Sequence, residues 1–124
     1  MKAEIAIIGG TGIYDTEIIA NNQTLDLETP YGKTSDSLTI GEFNDKKIVF
    51  LPRHGKKHSV PPHKINFRAN IWALKEIGVK RIIAPCAVGS LRENMEPGHI
   101  AIPCLLYTSP SPRDATLSRM PSSA

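Results

Sequence analysis

The chain has 124 residues, of which 40% are hydrophobic and 22% charged, and its formal net charge at pH 7 is +3. A chain of this size can form one modest hydrophobic core but hardly two, so we expect at most one domain. The two cysteines, Cys86 and Cys104, have neither C-x-x-C nor zinc-site spacing, and two are too few for a disulfide framework in a chain of this size.

Targeting signals are not expected in this sequence. No apolar stretch reaches the length of a membrane span, and Gly9 interrupts the N-terminal apolar run too early for a secretory signal. We therefore expect a soluble, unprocessed protein of the reducing cytoplasm, with no membrane partner.

Apolar and glycine patterns predict alternating strands and helices. Residues 3–8 are typical of a strand, and residues 36–42 and 46–51 of a hairpin whose turn lies within residues 41–45. Residues 64–77 predict a helix that Gly78 ends, and residues 79–84 predict a further strand parallel to an earlier one. The helix would bury one broad apolar face made of Ile65, Ala69, Ile71, Trp72 and Ile77.

This order of elements predicts an α/β fold with a sheet and flanking helices. Ligands of such sheets collect beyond the carboxyl ends of the strands. If the strands are neighbours, three loops meet at one site, namely residues 9–12, 53–54 and 86–90. From Cys104 to Ala124 the chain is rich in Ser, Thr and Pro without periodicity, so we expect an unrelated tail that is disordered or artefactual.

The first of these loops, Gly9-Gly10-Thr11-Gly12, directly follows the first predicted strand. It fits neither the G-x-G-x-x-G pattern nor the P-loop pattern, which excludes the usual dinucleotide and nucleotide motifs. Its backbone N–H groups and the Thr11 hydroxyl are suitable donors to an oxyanion, although such a turn is often purely structural.

The second loop places Arg53 beside His54 and Gly55. Arg53 can bind an anion with two parallel hydrogen bonds, and His54 can donate one more. Five cations without any intervening acidic residue occur from here to Arg68: Arg53, Lys56, Lys57, Lys64 and Arg68. A solvated basic loop is the alternative, whereas nucleic-acid binding is not expected because Phe67 and Trp72 belong to no stacking motif.

A metal site is not expected at His54, His58 and His63. No carboxylate lies in this stretch, and the nearby cations would repel a divalent ion. Cys86 is a candidate nucleophile only in principle, since no partner for it emerges and a cysteine at a strand end is usually small apolar filler.

Five short motifs, in this order, resemble the 5′-methylthioadenosine phosphorylases of the trimeric purine nucleoside phosphorylase superfamily. They are Ile8-Gly9-Gly10-Thr11-Gly12, Thr29-Pro30-Tyr31-Gly32-Lys33, Arg53-His54-Gly55, Asn66-Phe67-Arg68-Ala69-Asn70-Ile71-Trp72-Ala73-Leu74-Lys75 and Ala87-Val88-Gly89-Ser90-Leu91-Arg92. The resemblance covers residues 3–103, so we expect residues 1–103 to be the N-terminal part of a phosphorylase domain. It implies a nucleoside-phosphorylase-like mixed sheet that is incomplete in this chain.

The resemblance also implies a reaction and a set of site residues. Phosphate would be held by Thr11, Arg53, His54, Cys86 and Ala87, with the Cys86 side chain a weaker donor than the hydroxyl that relatives commonly have there. Phosphate would attack C1′ of 5′-methylthioadenosine and release adenine and 5-methylthioribose 1-phosphate. No cofactor or metal is implied, the full-length enzyme would be a homotrimer, and the purine-activating aspartate of the family has no counterpart in this sequence.

Two alternatives stay open at this stage. One is a purine nucleoside phosphorylase for 6-oxopurine nucleosides, because the residues that select the base would lie beyond Pro103. The other is a catalytically inactive fragment that only binds phosphate.

Overall fold

A computed structural model of the protein describes residues 2–10 and 19–103. The predictions for Thr11, Gly12 and residues 104–124 lie outside the described residues. The described elements, in chain order, are β1 (Ile5–Gly9), β2 (Ala20–Leu25), β3 (Glu28–Thr29), β4 (Gly32–Lys33), β5 (Leu38–Phe43), β6 (Lys46–Pro52), a 3-10 helix (Pro62–Lys64), α1 (Phe67–Ile77) and β7 (Arg81–Ile83). The chain divides into two compact units, one up to Gly89 and one from Ser90 onward.

The first unit is built on a five-stranded sheet with the order β2-β5-β6-β1-β7. Strand β1 pairs in parallel with β6 on one side and with β7 on the other, whereas β5 is antiparallel to both β6 and β2. The short strands β3 and β4 form a separate two-stranded hairpin. The sheet is therefore mixed, which agrees with the predicted fold class, and its three parallel strands are neighbours.

Alternating side chains of the strands form two apolar clusters. Ala6 of β1 and Val49 and Leu51 of β6 belong to one cluster, which also contains Leu74 of α1. Ile48 and Phe50, the neighbours of these residues in β6, belong to the other. This alternation follows from the two-residue repeat of a strand, which sends successive side chains to opposite faces of the sheet.

The hairpin between β5 and β6 confirms the sequence-based prediction, with different bounds. β5 continues through Gly41 to Phe43, where residue 43 pairs with Lys46, so the turn consists only of Asn44 and Asp45. Both turn residues have positive φ, at 47° and 59°. Asn and Asp tolerate this conformation, which a two-residue turn needs to match the twist of the strands.

Helix α1 begins three residues later than the sequence pattern predicts. Asn66 is its N-cap and accepts a hydrogen bond from the Ala69 N–H (3.2 Å), while the preceding Lys64 ends a 3-10 helix. Gly78, at φ 95°, ends the helix as predicted, because glycine adopts the left-handed conformation without strain. With 11 residues α1 is too short to cross a membrane, and no other helix of the described part has the necessary length and apolar character.

The predicted apolar face of α1 is wrong at one position. Ala69 and Ile77 are buried as expected, but Ile71 is 49% exposed and Ala73 and Leu74 are buried instead. The helix turns by 100° per residue, so the buried stripe that runs through 69–70, 73–74 and 77 leaves position 71 on the opposite side. Asn70 completes this stripe and is 2% exposed.

Candidate anion-binding site

The three loops predicted to meet follow the carboxyl ends of neighbouring parallel strands. Strands β6, β1 and β7 are parallel neighbours, and Gly9 at the end of β1 is paired with Pro52 at the end of β6. The Arg53 N–H donates to the Gly9 carbonyl at 2.8 Å, which extends this pairing into the loop after β6. The ends of β1 and β6 thus place Gly10 and Arg53 side by side.

The Arg53 side chain lies where the three loops come together. Its Nη1 donates to the Cys86 sulfur at 3.0 Å. A Cβ on Gly10 would lie 3.1 Å from Arg53 Cζ and 3.5 Å from the Pro85 carbonyl oxygen, so the glycine leaves room for the guanidinium. Arg53 is half-buried, whereas the other four cations of the predicted basic run are exposed.

No carboxylate of the described residues forms an ion pair with Arg53. Among the described residues, an ion pair joins Lys80 to Glu4, and it lies at the other end of β1 from Arg53. A half-buried guanidinium without a carboxylate partner favours an anionic ligand, because burial makes a charge costly unless it is paired.

His54 is held beside Arg53 by hydrogen bonds at both ring nitrogens. Its Nδ1 lies 3.1 Å from the Val60 carbonyl oxygen, which only accepts, so Nδ1 carries a proton. Nε2 of the neutral ring is then an acceptor, and it receives a long hydrogen bond of 3.4 Å from Arg53 Nε. The ring also stacks on that of His58, with centroids 6.1 Å apart.

The remaining predicted site residues are placed less completely. Cys86 is exposed, and its thiol lies 3.8 Å from the Ala84 carbonyl oxygen in addition to the Arg53 contact. Ala87 follows it and is exposed. Thr11 lies outside the described residues. The structure therefore brings His54, Cys86 and Gly10 each against the Arg53 side chain.

Asp36 also reaches this region, although no sequence motif indicates it. Its Oδ2 accepts a hydrogen bond from the Lys56 N–H at 2.6 Å, in the loop that carries Arg53 and His54. The sequence signal was weak: Asp36 is one polar residue in a polar stretch before β5, and it belongs to no motif. Only the pairing of β5 with β6 brings it near the loop.

The fold and the site together define a class, an α/β protein with a half-buried guanidinium beside a glycine at the carboxyl ends of parallel strands, where such sheets commonly bind ligands. The family follows from comparison with known sequences. The chain belongs to the phosphorylase superfamily, whose family model matches residues 4–112. This match extends past residue 103, the expected domain boundary, which stays a prediction.

Individual relatives cover most of this chain. It is 56% identical over 115 residues to S-methyl-5′-thioadenosine phosphorylase of Nitrosopumilus maritimus, a match that spans 93% of this chain and 44% of the relative. It is 57% identical over 98 residues to a probable 6-oxopurine nucleoside phosphorylase of Thermococcus kodakarensis, spanning 79% of this chain and 36% of the relative.

A solved structure of methylthioadenosine phosphorylase from Schistosoma mansoni in complex with adenine has the same fold. The TM-score is 0.72 at 45% identity, and the match covers 78% of this chain and 34% of the other. The chain therefore spans less than half of the length of these relatives.

Proposed function

We propose that the loops around Arg53 bind inorganic phosphate, and that the protein uses this phosphate for phosphorolysis of 5′-methylthioadenosine. The observation that carries the proposal is the position of Arg53, half-buried between Gly10 and Cys86 with no carboxylate of the described residues paired to it. Its planar guanidinium can hold two phosphate oxygens with charge-assisted hydrogen bonds.

The other proposed phosphate ligands come from the glycine loop and from residues 86–87. Thr11 supplies a hydroxyl from the glycine loop, and the backbone N–H groups of Cys86 and Ala87 supply donors from the opposite loop. The Cys86 thiol is a weak donor and accepts a hydrogen bond from Arg53, so we assign binding to the backbone at this position.

His54 completes the set and requires one proton to do so. With Nδ1–H directed to the Val60 carbonyl, the neutral ring presents a lone pair at Nε2, which repels an anionic oxygen. A contact between Nε2 and phosphate therefore needs a shared proton, carried either by the ring or by a P–OH group. Arg53 Nε would then donate its hydrogen bond to a phosphate oxygen and no longer to His54 Nε2.

The proposed reaction needs no cofactor, because phosphate itself is the nucleophile. The site would hold one phosphate oxygen toward C1′ of the nucleoside, where proximity and charge stabilisation lower the barrier. Adenine would leave and 5-methylthioribose 1-phosphate would form. We further propose that the whole protein is a cytoplasmic homotrimer, and that the aspartate expected to activate the purine is not among these 124 residues.

The names of the relatives support 5′-methylthioadenosine over other nucleosides. Relatives named S-methyl-5′-thioadenosine phosphorylase recur among the matches, at 56%, 56%, 54% and 53% identity, beside a probable 6-oxopurine nucleoside phosphorylase at 57%. A 6-oxopurine nucleoside remains the second candidate, and cleavage of inosine faster than 5′-methylthioadenosine would establish it.

The phosphate site is tested first by thermal unfolding of the 124-residue chain with and without inorganic phosphate. A ligand at about 100 times its dissociation constant stabilises the folded state by about 2.7 kcal/mol, so the midpoint should rise. Arg53→Ala should abolish this rise, while Arg68→Ala, an exposed arginine in α1, should keep it. An equal rise in the Arg53 variant would show that the site is misplaced.

Turnover is tested separately, by adenine release from 5′-methylthioadenosine. Release that depends on added phosphate supports the enzyme activity. Phosphate binding without adenine release supports the alternative in which this chain only binds phosphate.

A further inference from the structure

The loop that follows β6 has little regular structure of its own. Gly55 and His58 both have positive φ, at 75° and 50°. Internal turns close the loop, with the Gly55 N–H donating to the Pro52 carbonyl at 3.2 Å and the Val60 N–H to the His54 carbonyl at 3.0 Å. Strand β6 ends at Pro52 and the pairing with β1 extends to the Arg53 N–H, which donates to the Gly9 carbonyl, so the loop from His54 onward needs an attachment other than strand pairing.

Asp36 provides this attachment. One carboxylate oxygen accepts from the Lys56 N–H at 2.6 Å, and the other accepts from the Ser37 N–H at 2.8 Å. Hydrogen bonds from N–H groups to a carboxylate are stronger than those between neutral groups. The carboxylate therefore ties the loop, two residues after His54, to the segment that precedes β5.

The segment that carries Asp36 is itself anchored in the core. Asn70, buried on α1, accepts from the Ser35 N–H and donates to the Ser35 hydroxyl, both at 2.9 Å. The Thr34 hydroxyl donates to the Asp36 carbonyl at 2.8 Å. Hydrogen bonds thus join Ser35 to the helix and its chain neighbour Asp36 to the Lys56 backbone.

Close packing accompanies these bonds. A Cβ on Gly55 would lie 3.5 Å from Asp36 Oδ2, 3.5 Å from the Ser35 carbonyl oxygen and 2.9 Å from the Ser59 hydroxyl. A side chain at the residue that follows His54 would therefore touch the Asp36 segment, so the loop packs closely against this segment at Gly55.

We propose that Asp36 is a positioning residue for phosphate binding. It touches no phosphate itself; it holds the backbone of residues 55–56 so that the Arg53 and His54 side chains are oriented before the ligand arrives. This proposal rests on the proposed function for the identity of the ligand. Pre-orientation matters because a flexible loop would have to lose its conformational freedom on binding, at a cost in affinity.

The test compares Asp36→Ala and Asp36→Asn with Glu76→Ala, which removes an exposed carboxylate of α1. Each variant of the full chain is titrated with inorganic phosphate, and hydrogen exchange of the Lys56 amide is followed by NMR. Asp36→Ala should weaken phosphate binding about tenfold, equivalent to about 1.4 kcal/mol, and expose the Lys56 amide to exchange. Asp36→Asn keeps one accepting oxygen and should recover part of the affinity, and Glu76→Ala should match the wild type.

Three outcomes would overturn the proposal. The first is unchanged Lys56 exchange in Asp36→Ala, and the second is faster exchange with unchanged phosphate affinity, which would make the role of Asp36 purely structural. The third outcome applies if Asp36→Ala does not fold: Asp36→Asn folds and binds phosphate with wild-type affinity. Failure of the wild type to bind phosphate would instead refute the proposed function, while Lys56 exchange would still decide whether Asp36 holds the loop.

Discussion

Replacing Gly10 with alanine should damage the phosphate site while leaving the fold intact. Gly10 is buried directly after β1, and an added Cβ would lie 3.1 Å from Arg53 Cζ and closer still to Nη2. Carbon atoms in contact are normally about 3.5–4.0 Å apart, so the guanidinium would have to move by up to about 1 Å. The contact between Arg53 Nη1 and the Cys86 sulfur at 3.0 Å would be disturbed with it.

The effect on stability and the effect on binding should differ in size. The clash involves the far end of a flexible side chain, and an alanine also restricts the unfolded chain, so the free energy of unfolding should change by less than about 1 kcal/mol. A misaligned arginine loses hydrogen bonds to a charged ligand, each of which contributes about 1.5–3 kcal/mol. Phosphate affinity should therefore fall about tenfold to a hundredfold.

The assay is calorimetric titration with phosphate, together with denaturant unfolding of the same samples. If Gly10→Ala acts through Arg53, the double variant with Arg53→Ala should bind phosphate no more weakly than Arg53→Ala alone. Wild-type affinity in Gly10→Ala, or fully additive losses in the double variant, would refute the reasoning.

Two further predictions concern stability. Leu74 is 1% exposed and Ile71 on the same helix is 49% exposed, so Leu74→Ala should lower the free energy of unfolding by about 2–5 kcal/mol and Ile71→Ala by less than about 1 kcal/mol, as measured by denaturant unfolding. The hydrogen bond from Lys80 at 2.9 Å and the charge of Lys80 lower the pKa of exposed Glu4 below its ordinary value. The pair therefore stabilises the folded state at pH values above the unfolded-state pKa of Glu4. This stabilisation is lost as the pH falls through the folded-state pKa of Glu4. Thermal midpoints of the wild type and Glu4→Gln should differ at neutral pH and low salt and converge in acid; a difference that persists in acid would contradict this explanation.

Local sequence patterns predicted the central elements of the fold. The β-branched run before Gly9, the hairpin around Asn44 and Asp45, and the helix ended by Gly78 are all present. Each depends on interactions between near neighbours in the chain, which periodicity and turn chemistry report directly. Strands β2, β3 and β4 were not predicted, because their exposed residues lack an apolar alternation.

Long-range packing decided what local patterns could not. Ile71 has the same apolar character as Leu74, and only the orientation of α1 over the sheet determines which of the two is buried. In the same way, the pairing of β1 with β6 and of β5 with β6 determines that Gly10 lies against Arg53 and that Asp36 reaches Lys56.

By itself, the sequence determined the chemical groups of the candidate site: a glycine loop, an arginine beside a histidine, and a cysteine after the last strand. These are properties of residue type and of short spacings. The tertiary structure decided the tautomer of His54, the absence of a carboxylate partner for Arg53 among the described residues, and the attachment of the loop to Asp36. These depend on distances between residues far apart in the chain, which are defined only when the strands have paired.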